Sequence, residues 1–339
     1  PTTPTLRLVL EKLPFFVLSA ASCVTTLIVQ WQGGAVVPFA RELGMSLESR
    51  LMSTPVAYAW YLMKVIWPSD LAVIYPSVRE WSLGWVLLAT VSLLALTGAA
   101  VWQRQRRPYV LVGWLWYLGT LVPVIGLIKV GGHFVADRYM YIPSIGLFVV
   151  LAWGLADLTA SWAGRGLPLA VGAATVLVAF ALATGKQLLY WQNTETLFRR
   201  ALAVTRSNYI ACDSLGFWFA QHGQLELAKR YYRLAMNIAP DYIGARNHLG
   251  WTLIRQNKHE DAILVFEDLL RLKPDLAEAR RRLALALAGL DRTSEAVEHL
   301  RAAVRLEPEN VQIHYDLGNV LLQNDQPAEA AIAFRLAAS

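Results

Sequence analysis

Of 339 residues, 55% are hydrophobic and 17% charged, a balance too apolar for a pair of water-soluble domains of that length. The net charge of +6 sits in one half: residues 1–192 hold 13 Lys/Arg against 7 Asp/Glu (13 − 7 = +6), and residues 193–339 hold 18 against 18. A basic surplus confined to apolar sequence marks membrane topology and excludes the basic soluble face that nucleic-acid binding needs.

Taken in chain order, uncharged runs fall at Pro14–Trp31, Trp81–Gln103, Pro108–Ile128, Tyr139–Ala156 and Gly166–Gly185. Each approaches the ~20 residues a bilayer-crossing helix needs. Leu51–Trp67 is a sixth, interrupted only by Lys64 near its end, where the side chain can snorkel to the interface. Trp31, Trp60, Trp67, Trp81, Trp85, Trp102 and Tyr109 crowd the edges of these runs, as interfacial belts do. The competing assignment, buried helices of a large soluble protein, leaves almost nothing to cover them. Arg104, Arg106 and Arg107 form the strongest basic cluster, so their loop is expected in the cytoplasm. Alternation puts Arg165 and the Gly33–Arg50 loop on that side. It puts the loops Pro68–Glu80 and Lys129–Arg138 outside, with everything after Lys186. Cys23 and Cys212 give neither a disulfide framework nor metal-ligand spacing. The chain opens at Pro1 without a signal peptide and stops at Ser339 inside a repeat, so it reads as an internal piece of a longer protein.

Beyond Trp191 the pattern changes. Pro240, Pro274 and Pro308 fall 34 residues apart. At the same step, Leu215-Gly216, Leu249-Gly250, Leu283-Ala284 and Leu317-Gly318 share one position pair. Ala228, Ala262, Ala296 and Ala330 share a second position, and Tyr232, Phe266, Leu300 and Phe334 a third. Small residues suit the close crossing of paired helices, large apolar residues fill the space beside them, and proline stops the second helix. These residues resemble the tetratricopeptide repeat (TPR), with repeats starting near Tyr209, Ile243, Ala277 and Val311. Phe198 and Ala201 fit the second helix of a half-repeat over Thr194–Thr205, expected to dock the arm onto the last span. The expected fold is all-α: a polytopic membrane helix bundle of about six spans, then a TPR α-solenoid. The expected domains are 1–192 (membrane), 193–207 (linker or half-repeat helix) and 208–339 (three complete repeats and a truncated fourth). Such arrays bind peptides or partner helices along a concave face. By resemblance, Phe217, Asn247, Trp251, Arg255, Arg281 and Asn319 face that groove; ordinary packing and solvated surface are the other account of them. Phe217 and Trp251 stand out because aromatics anchor interfaces.

No nucleophile elbow, phosphate loop, HExxH or CxxC pair occurs, and no metal site is expected. His222, His248, His259, His299 and His314 lie in the repeats and read as structural. His133 lies in the polar, aromatic-rich loop Gly131–Pro143, at a span entrance. Ionisable groups there suit an anionic head group. Arg138 can meet a phosphate in bidentate fashion, with Lys64 and Lys129 at nearby helix ends. Alternatively, Asp137 and Arg138 merely anchor the span at the interface.

Ala136-Asp137-Arg138-Tyr139 through Ile142-Pro143 resembles the ADRYxYIP signature of the transmembrane-and-TPR O-mannosyltransferase family. Further matches are Glu11-Lys12 with Pro14-Phe15-Phe16, Gln30 with Gly33-Gly34-Ala35, Tyr61-Leu62 with Lys64, and Trp67-Pro68. Leu71-Ala72-Val73 with Tyr75-Pro76, Gly113-Trp114 and Pro123-Val124-Ile125-Gly126 continue the series over about residues 8–192. The resemblance implies a transferase moving a sugar, often mannose, from a polyprenyl- or dolichyl-phosphate carrier to a Ser/Thr hydroxyl on the non-cytoplasmic side. No other cofactor is implied; the partners are membrane lipids and acceptor proteins held by the TPR arm, and no nucleic acid. It places the enzyme in a membrane, the inner membrane for a bacterial host, with the arm periplasmic. The family's main acidic motif follows its first span and has no counterpart here, so the piece is expected to lack its catalytic base; Asp137 is the weak candidate within it. Two other functions fit the plan. One is a non-enzymatic TPR scaffold in envelope assembly or secretion. The other is an O-antigen-type ligase, which expects a larger outer loop.

Overall fold

The computed structural model describes residues 25, 47–76, 81–125, 135–162 and 164–338. All regular elements among the described residues are helices, and they form two compact units, Pro1–Ala179 and Phe180–Ser339.

In the first unit α1 (Leu47–Ile66) packs on α2 (Leu83–Trp102), and α3 (Pro108–Leu121) packs closely on α4 (Pro143–Leu158). Its core gathers Ala57, Tyr61, Trp114, Tyr117, Leu121 and Ile125. Buried polar tips are satisfied across helices. Tyr58 donates to the Leu118 carbonyl at 2.8 Å, Tyr117 to the Tyr58 carbonyl at 2.6 Å, and the Trp114 indole to Thr97 Oγ1 at 2.9 Å. At the α3–α4 crossing, a Cβ on Gly113 or Gly146 would run into the carbonyl oxygen of the other. That mutual approach of backbones is what small residues permit between apolar helices.

Leu83–Gln105 and Gly166–Trp191, the latter containing α5 (Gly166–Leu188), are long and apolar enough to cross a bilayer by length and composition. Their side chains are largely uncovered: Leu87, Leu88, Val91 and Leu94 of α2 are each more than half exposed, and α5 has no buried residue. The other expected spans come out differently. α3 has 14 residues, about 21 Å, because Pro123 follows its last turn. α4 has 16, about 24 Å, because residues Asp137–Met140 form a 3-10 turn and Pro143 opens the helix. Both fall short of the ~30 Å hydrocarbon core. α1 has the length but carries Glu48, Arg50 and Lys64. Pro14–Trp31 lies outside the described residues, apart from Thr25. The sequence pattern predicts about six spans; among the described residues, two helices meet the length and composition a span needs.

The second unit begins with α6 (Thr194–Val204), capped by Asn193 accepting from the Thr196 amide at 2.9 Å. Its Ala201 is buried and Phe198 lies against the repeat core. Four helix pairs follow: α7 (Tyr209–Gln221) with α8 (Leu225–Ile238), α9 (Ile243–Arg255) with α10 (His259–Leu272), α11 (Ala277–Ala288) with α12 (Thr293–Leu306), and α13 (Val311–Gln323) with α14 (Pro327–Ala338). The small position faces the large one within each pair. A Cβ on Gly216 would lie 2.5 Å from the Tyr232 ring, one on Gly250 2.5 Å from Phe266, and one on Gly318 2.6 Å from Phe334. The third pair puts Ala284 and the slimmer Leu300 at these two positions, both fully buried. The turns inside the pairs hold Gly223, Asn257, Asp291 and Asp325, again 34 apart and all at positive φ (76°, 57°, 59° and 55°). Glycine adopts that left-handed conformation freely, and Asn and Asp tolerate it best among the rest.

Candidate functional site

Two segments distant in sequence meet at one end of the first unit. The first follows α1, which stops at Ile66 ahead of Pro68. Lys64, on the last turn of α1, donates its ammonium to the Ser69 carbonyl and rests over the Trp60 ring at 5.5 Å. Asp70 takes the left-handed conformation (φ 53°), turning the chain back. The Tyr75 hydroxyl then accepts from the Ala72 N–H at 2.8 Å, with the Trp60 ring packed edge-on against it at 4.7 Å. The second segment precedes α4. Val135 and Ala136 are buried, and Tyr61 of α1 grips Ala136 on both sides, accepting from its N–H at 3.0 Å and donating to its carbonyl at 3.3 Å. This anchors the start of the Asp137–Met140 turn. Tyr75 closes the junction by hydrogen bonding to Asp137 Oδ2 at 3.2 Å, across 62 residues of sequence.

Burial pushes the Asp137 carboxyl up to about 6, against the opposing pull of the Tyr75 hydroxyl, the Lys64 ammonium, the Ala72 amide and Arg138. Burial, then the Asp137 charge, pushes the Tyr75 phenol up as well, so it stays a proton donor. Arg138 is exposed, its guanidinium 5.1 Å over the Tyr139 ring. The junction can therefore hold or release one proton near neutral pH between two cations, a setting that suits a phosphate oxygen and a reacting hydroxyl. The structure brings Lys64, Asp137 and Arg138 into one electrostatic cluster; Lys129 and His133 lie outside the described residues. Tyr61, Trp60 and Tyr75 stand out in the sequence only as motif or belt residues, and nothing in their spacing joins them to Asp137.

At the opposite ends of α3 and α4, Tyr109 donates to Asp157 at 2.7 Å and Arg107 lies 3.5 Å from the same carboxylate. Arg165 bonds the Ala156 carbonyl at 2.9 Å. Arg107 and Arg165 thus both lie beside the C-terminal end of α4.

In the repeats, Phe217, Trp251 and Asn319 occupy the ninth position of α7, α9 and α13, with Leu285 at the equivalent place in α11. Phe217 is 45% exposed and lies against the His248 ring; Trp251 is 37% exposed and stacks on the Arg282 guanidinium at 5.0 Å. Asn247 is half-buried at the fifth position of α9. Arg255 and Arg281 are engaged within the chain. Arg255 donates to the Ala220 carbonyl at 3.0 Å, and Arg281 pairs with Glu278 and Asp316 with its side chain only 13% exposed. Burial alone would push the Glu278 carboxyl up, but bonds from Arg281 and Arg282 outweigh it and hold it low. A second junction is not apparent from the sequence: Asp213 accepts from Tyr242 at 2.9 Å and lies 2.8 Å from His248 Nδ1. Both clamps join residues 35 apart, one more than the repeat, which is the signal that could have revealed them. Among the described residues no group of His, Cys, Asp and Glu could hold a metal.

The tetratricopeptide repeat family model matches residues 247–306 and 281–339. The curated relatives are protein O-mannosyl-transferases. The chain is 27% identical to TMTC1 of Homo sapiens over 233 residues, 66% of this chain and 25% of that protein. It is 30% identical to TMTC1 of Mus musculus over 171 residues, 50% of this chain and 18% of that protein. Against TMTC3 of Mus musculus it is 26% identical over 219 residues, 60% and 23% respectively. The chain therefore spans a quarter or less of the length of these relatives. Among solved structures, MamA (residues 41 to the end) from Desulfovibrio magneticus RS-1 is similar at 21% identity and a TM-score of 0.40, over 47% of this chain and 92% of that one.

Proposed function

We propose that the chain is part of a membrane-embedded protein O-mannosyl-transferase that takes its sugar from a polyprenyl-phosphate carrier, and that the repeat arm binds the acceptor polypeptide. The observation that supports this most is the junction of Tyr75 with Asp137, flanked by Lys64 and Arg138, in a chain whose curated relatives carry that activity by name. Lys64 and Arg138, with Lys129 and His133, take the donor's phosphate. Arg138 offers two parallel N–H groups to it and Lys64 a point charge. Asp137 takes the proton of the acceptor Ser or Thr hydroxyl. The freed oxygen bonds to the sugar's anomeric carbon as the bond from that carbon to the phosphate oxygen breaks. The electron pair leaves on the lipid phosphate, where the two cations meet it. Phe217 and Trp251 anchor the polypeptide in the groove, with Asn247 and Asn319 beside them. The loops of Tyr75 and Asp137 and the arm share the non-cytoplasmic side, inner-membrane periplasm in a bacterium.

The test is mannosyl transfer from a polyprenyl-phosphate mannose to a Ser/Thr peptide by the full-length protein. Arg138→Ala and Lys64→Ala should raise the donor KM by about tenfold each, the loss of a charge-assisted bond worth ~1.5–3 kcal/mol. Asp137→Asn should lower kcat by about a hundredfold or more, the usual size of an acid–base contribution. Wild-type donor KM and kcat in all three variants would remove this assignment.

A further inference from the structure

We propose that Tyr75 is a positioning residue that keeps Asp137 hydrogen-bonded in both of its protonation states, so that the carboxyl can take up and release a proton without orphaning a buried polar atom. A phenol oxygen carries one proton and two acceptor sites. The Ala72 N–H fills one acceptor site at 2.8 Å. The phenol proton then has two acceptors at nearly equal distance, Asp137 Oδ2 at 3.2 Å and the Asp70 carbonyl at 3.3 Å. With Asp137 ionised, the phenol proton points to Oδ2 in a charge-assisted bond. With Asp137 protonated, its O–H donates to the second acceptor site of Tyr75, and the phenol proton rotates to the Asp70 carbonyl. One proton is gained by the cluster, no covalent bond other than O–H changes, and the carboxyl and the phenol each keep a partner in both states. Leaving either group unpaired in one state would bias the carboxyl toward the other state.

The surroundings suit a rotor that turns while its ring stays still. Trp60 holds the ring of Tyr75 edge-on. Lys64 fixes the Ser69 carbonyl beside the left-handed Asp70, so the turn presents both an N–H and a carbonyl to one hydroxyl. Among the described residues, the charged and titratable groups facing Asp137 are Tyr61 and Lys64 from α1, Tyr75 from the turn and Arg138 on its own segment; Asp70 faces Tyr75, and Tyr139 faces Tyr61. Burial keeps the phenol protonated, so it exchanges partners instead of ionising.

This role of Tyr75 rests on Asp137 being the proton-handling group of the proposed function, and its primary readout needs no transfer activity. A hydrophobic carbodiimide reacts with protonated carboxyls, so labelling of Asp137 in the full-length protein, followed by mass spectrometry across pH, reports its titration. Wild-type labelling should fall away around pH 6. Tyr75→Phe keeps the ring against Trp60 but removes the donor to the carboxylate, a stronger bond than the one the neutral acid loses. The midpoint should therefore rise by about half to one pH unit, and the acidic limb of kcat/KM should move the same way. 3-Fluorotyrosine at position 75, nearly isosteric and a stronger donor, should lower the midpoint and serves if the Phe variant does not fold. An unmoved midpoint in either protein overturns the role of Tyr75. If the midpoints move as expected while Asp137→Asn transfers sugar normally, the hydrogen-bond role stands and the catalytic assignment of Asp137 falls.

Discussion

The two units handle buried polarity in opposite ways. In the repeats, ionic and polar groups are placed between neighbouring helix pairs, where Arg281, Glu278 and Asp316 or Asp213, Tyr242 and His248 lock one pair to the next. In the first unit, polar side chains are tied mostly to backbone, as with Tyr58, Tyr117 and Tyr61, and the ionisable ones are drawn to the ends. The backbone itself is the closest contact at Gly113 and Gly146, whereas the repeats bring glycine against a ring. A ring can tilt; a helical carbonyl cannot without breaking its own hydrogen bond. Conformational rigidity in the first unit therefore comes from the main chain, and in the repeats from side-chain matching.

The sharpest way to break that contrast is to remove Arg281. Its side chain and that of Asp316 are 13% and 9% exposed, so Arg281→Ala leaves the Asp316 carboxylate buried without its cation, while Glu278 keeps Arg282. The expected loss is about 3–5 kcal/mol of repeat stability, read by thermal or urea unfolding of the full chain. Arg292→Ala, which breaks an ion pair roughly half exposed on both sides, should leave the unfolding midpoint almost unchanged. Equal effects would mean that the Arg281 cluster is no more than surface charge. Next comes Gly113→Ala, which forces α3 and α4 apart through their carbonyls. It should cost about 3 kcal/mol, at the upper end for overpacking, seen as an earlier detergent melt of the tryptophan-rich first unit. Gly250→Ala should cost less, about 1–3 kcal/mol, and Phe266→Leu should relieve part of that loss by copying the Ala284–Leu300 solution. Additive losses in the double variant would show that the third pair is not the same contact solved another way.

The same contrast explains what could be read in advance. The repeat boundaries near Tyr209, Ile243, Ala277 and Val311 were legible because each helix pair repeats its contacts at a fixed step, so periodicity carries the packing. The left-handed turn residues Gly223, Asn257, Asp291 and Asp325 follow the same step and were open to the same argument. The inter-pair clamps were hidden because they run one residue out of register. In the first unit, uncharged runs signal apolar surroundings but not where a helix stops, so Pro123 and Pro143 shortened α3 and α4 within stretches that looked continuous. The cations Lys64 and Arg138 and the acid Asp137 could be picked out by residue type at loop ends. Their assembly depends on Tyr75 and Tyr61, at separations of 62 and 75 residues that no local pattern encodes.

The smallest expected effect concerns the junction itself. Folding raises the Asp137 carboxyl from an ordinary value of 3.8 to about 6, chiefly by burial. The folded state therefore binds more protons than the unfolded state between those limits, and stability must fall as pH rises through that window. A rise of that size corresponds to at most ~3 kcal/mol. Asp137 is only partly buried, so solvent screening should leave about 1 kcal/mol. Melts of the first unit between pH 4 and 7 in the wild type and in Asp137→Asn isolate this contribution. The wild type should lose stability toward pH 6 and then level off, and the variant, which cannot ionise, should lack that component. The repeats supply the internal control, since Glu278, held low by its arginines, titrates with the opposite sign and loses stability only toward acid. A wild-type first unit that gains stability over the same interval would mean that Lys64, Arg138 and the Tyr75 hydroxyl outweigh burial, and that Asp137 is an anchoring ion pair, not a reversible proton carrier.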